Sequence, residues 1–111
     1  MSEAFDHEVD VLIVGSGNGA LTSALACYEL GVTDVLVVEK GEKIGGTSAI
    51  SGGGVWIPCN RYAREAGTED SLEDAREYLR QTIPGNDVAG EMLDTYIEQG
   101  PKMIDFMHEH T

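Results

Sequence analysis

A chain of 111 residues is one domain or less, and its 20 Asp and Glu against 7 Lys and Arg leave a formal charge of -13. That acidity repels phosphodiester backbones and anionic headgroups, which excludes nucleic-acid and membrane-surface binding as first readings. No apolar run approaches the roughly 20 residues of a membrane span, and the acidic start MSEAFDHEVD is unlike a cationic signal peptide, so the expected location is the cytoplasm.

The first predicted element is a strand over Val9 to Val14, almost continuously apolar and therefore expected to be buried on both faces, as a parallel strand is. A glycine turn at Gly15, Gly17 and Gly19 follows. Ala20, Leu21, Ala24, Leu25 and Tyr28 then recur at helical spacing and stop at Gly31, and Val35 to Val38 predicts a second buried strand. Strand, glycine turn, helix and strand make a right-handed crossover unit ending at Glu39. A second glycine-rich loop comes next, then a short extended piece from Gly54 to Pro58. The remainder reads as helical. Ser71 and Asp74 resemble a capping box, with Leu72, Ala75, Leu79 and Ile83 as the apolar stripe and Pro84-Gly85 as the stop. Met92, Leu93, Tyr96 and Ile97 begin another helix, and a kink or fresh start is expected at Pro101 before Met103, Ile104 and Met107. Two parallel strands cannot form a covered sheet alone, so the chain is expected to be the N-terminal part of a larger protein.

Gly15-Ser16-Gly17-Asn18-Gly19-Ala20 matches G-x-G-x-x-G/A, between a predicted strand and a predicted helix, with Glu39 about 20 residues on at the end of the next strand. The first glycine permits the tight turn and the second admits a pyrophosphate against bare backbone. The small third residue lets helix and strand approach. No Lys or Arg occurs before Lys40, so backbone N–H groups and the helix dipole would hold that dianion. Glu39 would accept from ribose hydroxyls and repel a 2'-phosphate, which disfavours NADP.

An NAD enzyme has no need of the loop Gly45-Gly46-Thr47-Ser48 and Ser51-Gly52-Gly53-Gly54 directly after its second strand. The longer FAD does. Together, GSGNGA, VVEK, GGTSAISGG and VWIP resemble the FAD-binding domain of the fumarate reductase and 3-ketosteroid dehydrogenase superfamily, and GGTSAISGGGVWIP with AGTEDSLEDAREYL is most similar to the 3-ketosteroid dehydrogenases. The resemblance is good over residues 8 to 82. It implies an α/β fold, the N-terminal part of a Rossmann-like FAD-binding domain, in which a parallel βαβ unit is followed by the glycine-rich loop and helices. The rest of the FAD domain and the substrate domain would lie outside this chain.

By the same resemblance, Gly15, Ser16, Gly17, Asn18, Gly19 and Ala20 line the pyrophosphate. Glu39 holds the adenosine ribose with Lys40 beside it, Gly46, Thr47 and Ser48 follow the ribityl and pyrophosphate portion, and Ser51, Gly52 and Gly53 approach the flavin. The implied reaction is 1,2-desaturation of a 3-ketosteroid, in which a tyrosinate takes a proton and a hydride passes to flavin N5, with an external electron acceptor. The tyrosines of that chemistry fall beyond the region matched, so no catalytic residue is expected among these 111. Another branch of the superfamily, reducing a fumarate-like alkene or desaturating a steroid at the 4,5 position, and a non-catalytic nucleotide-binding fragment are the alternatives.

Cys27 and Cys59 have neither disulfide-framework nor zinc spacing and read as packing residues, Cys59 with a redox thiol as its alternative. His108-Glu109-His110 reads as a solvated helix end, since i and i+2 face apart. Tyr28, Tyr62, Tyr78 and Tyr96 read as core or interface residues. Trp56 reads as packing or as a cover for the cofactor.

Overall fold

The computed structural model describes residues 5–83, 85 and 89–111, and the chain divides into two compact units, Met1–Gly54 and Val55–Thr111. The stop expected at Pro84-Gly85 lies partly outside the described residues. Gly85 has φ +73°.

The first unit contains β1 (Val11–Val14), α1 (Asn18–Glu29) and β2 (Val35–Val38). The strands pair in parallel with Val11 opposite Val35 and Val14 opposite Val38. The crossover expected from the apolar runs is therefore present, with β1 starting two residues later than its apolar run. Helix α1 ends as Gly31 turns to φ +83° and Val32 N–H closes on the Cys27 carbonyl at 2.8 Å, a geometry that a side chain at position 31 would strain.

Leu12 is 57 % and Val14 78 % exposed, so these 111 residues by themselves do not cover both faces of β1. A doubly covered sheet needs a layer on each side, and within this unit α1 supplies one. The loop after β2 is also more ordered than its glycines suggest, with a 3-10 turn over Gly46–Ile50.

In the second unit, Gly54 to Pro58 leads into helices α2 (Arg61–Glu65), α3 (Leu72–Thr82) and α4 (Gly90–His110) without forming a strand. Asn60 caps α2 by accepting from the Tyr62 and Ala63 N–H groups at 2.9 and 3.1 Å. Ser71 caps α3, its Oγ accepting from Asp74 N–H at 3.0 Å and donating to Asp74 Oδ2 at 2.6 Å. The Ser71 cap read from the sequence is thus present, with the Asp74 carboxylate returning to its hydroxyl. Ser71→Ala should cost about 1 kcal/mol, measured as a shift in the urea midpoint.

Helix α4 runs unbroken through Pro101, so the fresh start expected there does not occur. Proline removes one intrahelical bond to the carbonyl four residues earlier; the flanking turns carry the helix across. Gly100 admits the Ile57 side chain, because a Cβ at that position would lie 2.9 Å from Ile57 Cγ2. Ile57, Ala75 and Ile97 are buried, Ile97 completely. Arg76 ties α3 to α4 by ion pairs to Asp94 at 2.6 Å and Glu98 at 3.6 Å. Among the described residues, no helix is long and apolar enough to cross a membrane.

Candidate functional site

The parallel register brings the ends of the two strands together, and the candidate residues gather there. Gly15 N–H donates to the Val38 carbonyl at 2.6 Å, and Gly15 adopts φ +100°, a conformation costly for any residue with a Cβ. The chain then turns into α1, whose N-cap is Gly17. Gly17 has no side chain with which to cap the helix, and no acid lies in the first turn. A helix beginning this way directs N–H groups and positive dipole outward, the arrangement that receives an anion.

Ser16 is 2 % exposed. Its hydroxyl donates to Glu39 Oε2 at 2.5 Å and accepts from Gly45 N–H at 2.9 Å. Glu39 Oε1 accepts from Gly41 N–H at 2.8 Å. Ser48 Oγ, from the 3-10 turn, accepts from Asn18 N–H at 3.1 Å. Three segments distant in sequence, the glycine turn, the end of β2 and the second glycine loop, are thereby joined.

The Ser16 hydroxyl holds the Glu39 carboxyl below its ordinary 4.5, helped by Gly41 N–H and opposed by partial desolvation. The folded state therefore binds this proton less readily than the unfolded state. The resulting stabilisation is present above the ordinary carboxylate value and is lost as pH falls through the lower folded value. Between neutral pH and about pH 5 the Glu39 contribution to the urea midpoint should be flat, then decline on further acidification. Glu39→Gln should lack that acid-side component, and an unchanged acid limb would contradict the assignment.

The remaining candidates occupy the same unit. Gly19 and Ala20 lie in the first turn of α1, and Lys40 is exposed beside Glu39. Gly46, Thr47 and Ser48 form the start of the 3-10 turn, which Gly45 enters at φ +105°. Ser51, Gly52 and Gly53 follow it, exposed, with Gly53 N–H donating to Ser51 Oγ at 3.1 Å. A Cβ placed on Gly15, Gly19, Gly46, Gly52 or Gly53 would meet no atom within 4 Å, so bare backbone faces open space along this path. That cradle, its helix N-terminus and its carboxylate fit the pyrophosphate and adenosine ribose of FAD.

Two bonds were not legible as spacing, Ser16 to Glu39 and Asn18 to Ser48. The signal available for the first is the strand register, which sets residue 15 beside residue 39.

The secondary candidates resolve into packing. Trp56 lies against Tyr78 and Tyr96, with centroids at 5.4 and 6.2 Å, and the Tyr96 hydroxyl donates to the Trp56 carbonyl. Tyr62 Oη is 2.7 Å from His108 Nδ1, while the His110 ring packs on Phe106. Tyr28 is 67 % exposed, so it is not a core residue of this unit. Burial and the nearby Asp70 push the Cys59 thiol up, which keeps it protonated and opposes the redox reading.

Comparison with known proteins extends the geometry. The family described as FAD binding domain matches residues 10–111. The 3-oxosteroid 1-dehydrogenase of Mycolicibacterium smegmatis (strain ATCC 700084 / mc(2)155) is 43 % identical over 105 residues, covering 95 % of this chain and 18 % of the relative. A 4-oxocyclohexanecarboxylate 2-dehydrogenase of Sinomonas cyclohexanicum is 46 % identical over 101 residues, covering 91 % of this chain and 17 % of that protein. The chain thus spans about a fifth of the length of these relatives. The crystal structure of the 3-ketosteroid-delta4-(5alpha)-dehydrogenase from Rhodococcus jostii RHA1, in complex with 4-androstene-3,17-dione, superposes with a TM-score of 0.84 at 23 % identity. It covers 97 % of this chain and 22 % of that one, a likeness of fold.

Proposed function

The chain belongs to the FAD-binding-domain family, and on that premise we propose that it supplies the adenosine-binding portion of a dehydrogenase that desaturates a ring next to a ketone, with a 3-ketosteroid as substrate. The observation that carries this reading is the 43 % identity to 3-oxosteroid 1-dehydrogenase across 95 % of the chain. A second reading, a smaller cyclic keto acid, is favoured by the 46 % identity to the 4-oxocyclohexanecarboxylate enzyme. Both relatives carry a ring ketone in their substrate names, so the ketone is the shared chemistry and the bulk of the ring system is what differs.

In this reading, the N–H groups at the start of α1 bind the pyrophosphate, and Gly15 and Gly17 let it come close to the backbone. Glu39 orients the adenosine by accepting from its ribose and rejects a 2'-phosphate by charge. The loop Gly46 to Gly53 keeps small residues along the path toward the flavin. When bound, FAD supplies the hydride acceptor, and reoxidation calls for an external electron acceptor. No catalytic residue is assigned among these residues.

The test is anaerobic addition of 4-androstene-3,17-dione to the purified yellow full-length protein that contains these residues, followed by product mass. Loss of flavin absorbance with a product two hydrogens lighter supports the steroid reading. Bleaching by 4-oxocyclohexanecarboxylate alone moves the assignment to the smaller ketone, and a protein that neither substrate bleaches overturns both.

A further inference from the structure

The buried hydroxyl of Ser16 has a geometry that the pyrophosphate role implied for this position does not use. A carboxylate accepts and cannot donate, so the one hydroxyl proton of Ser16 is committed to Glu39 Oε2 at 2.5 Å. An amide N–H donates, so Gly45 occupies an Oγ lone pair at 2.9 Å. With Ser16 2 % exposed, the hydroxyl is enclosed, and contact from this residue to phosphate falls to its backbone.

Glu39 meanwhile uses one acceptor position of Oε2 for Ser16 and one of Oε1 for Gly41 N–H. A carboxylate offers about four such positions, and although the Ser16 and Lys40 N–H groups also act on it, these two bonds do not exhaust its capacity to accept from a ribose hydroxyl. Held at both oxygens, the carboxylate is fixed in rotation, and the immobilisation is made before the nucleotide arrives.

We propose that Ser16 is a positioning residue for nucleotide recognition, its hydroxyl setting the rotamer of Glu39 toward the ribose 2'-hydroxyl and coupling it to the second glycine loop through Gly45. The proposal rests on the FAD reading of the site and assigns Ser16 to the ribose end of the ligand.

The experiment is calorimetric titration of the purified protein, stripped of flavin, with ADP and with 2'-deoxy-ADP, for wild type, S16A, S16C, E39A and S16A/E39A. Loss of one hydrogen bond to a charged group should weaken ADP binding in S16A by about tenfold, with 2'-deoxy-ADP nearly unchanged. S16C nearly preserves the side-chain volume but donates weakly, so it should follow S16A and guards against a packing artefact. In the E39A background, S16A should cause no further loss, because no carboxylate remains to be positioned. Equal weakening toward both nucleotides, or a full S16A effect in the absence of Glu39, overturns the proposal and leaves the FAD reading standing. A wild type that binds neither nucleotide overturns both.

Discussion

Replacing Gly17 by valine is expected to weaken FAD binding by about 100-fold or more, equivalent to about 2.7 kcal/mol, while the fold loses little. Gly17 has φ -73° and ψ -179°, extended backbone that any residue adopts. A Cβ there would meet Ser48 Oγ at 3.4 Å and the Gly45 carbonyl at 3.9 Å, which is ordinary contact. The protein can therefore accept a side chain at this position, but a phosphate approaching the start of α1 cannot share the space with two γ-carbons. Alanine should give an intermediate loss, and this grading with side-chain size distinguishes steric exclusion from damage to the turn. Flavin fluorescence titration gives the affinities, and thermal melts of the unliganded variants give the control. Valine binding FAD as tightly as glycine would remove the turn from the site.

The second large effect is on stability. Ile97 in α4 is fully buried, and among the described residues of its unit Ile57, Pro58 and Ala75 are buried with it. Ile97→Ala should cost about 2–5 kcal/mol through lost burial and the cavity left behind. In a unit of this size that corresponds to a melting shift of roughly 10 °C or more. Met92→Ala is the control, since Met92 is 66 % exposed on the same helix and its loss should stay within about 0.5 kcal/mol. Circular dichroism melts read both. Equal shifts for the two variants would mean that α4 does not pack as described.

What the sequence made legible follows from local physics. The apolar runs at Val9 to Val14 and Val35 to Val38, the glycine at φ +100° after the first and Gly31 after the helix are near-neighbour signals, and the structure contains each, with β1 starting at Val11. Ser71 announced α3 for the same reason. The five residues of α2 are too short to show a period, although Asn60 was an available cap. Pro101 read as a kink or a fresh start, but the helix on both sides outweighs the one missing bond and α4 does not start anew there. The continuous apolar run of β1 reports side-chain polarity and does not report which segments supply the layers that cover the sheet, and these residues leave Leu12 and Val14 exposed. The site divides in the same way. Its glycines and Glu39 were visible as a motif, while the Ser16 to Glu39 bond spans 23 residues and exists because two strands pair in one register.

The Ser48 hydroxyl rests on Asn18 N–H. That amide already has an acceptor, so a phosphate oxygen that reaches it replaces a neutral partner with a charged one. The gain at this amide is the difference between two hydrogen bonds, about 1 kcal/mol, and not the whole of one. Departure runs in reverse, with the hydroxyl returning as the phosphate leaves, so the amide is never stranded. On the proposed reading, phosphate binding at the start of α1 is then a substitution at this amide, with the Ser48 hydroxyl as the group displaced.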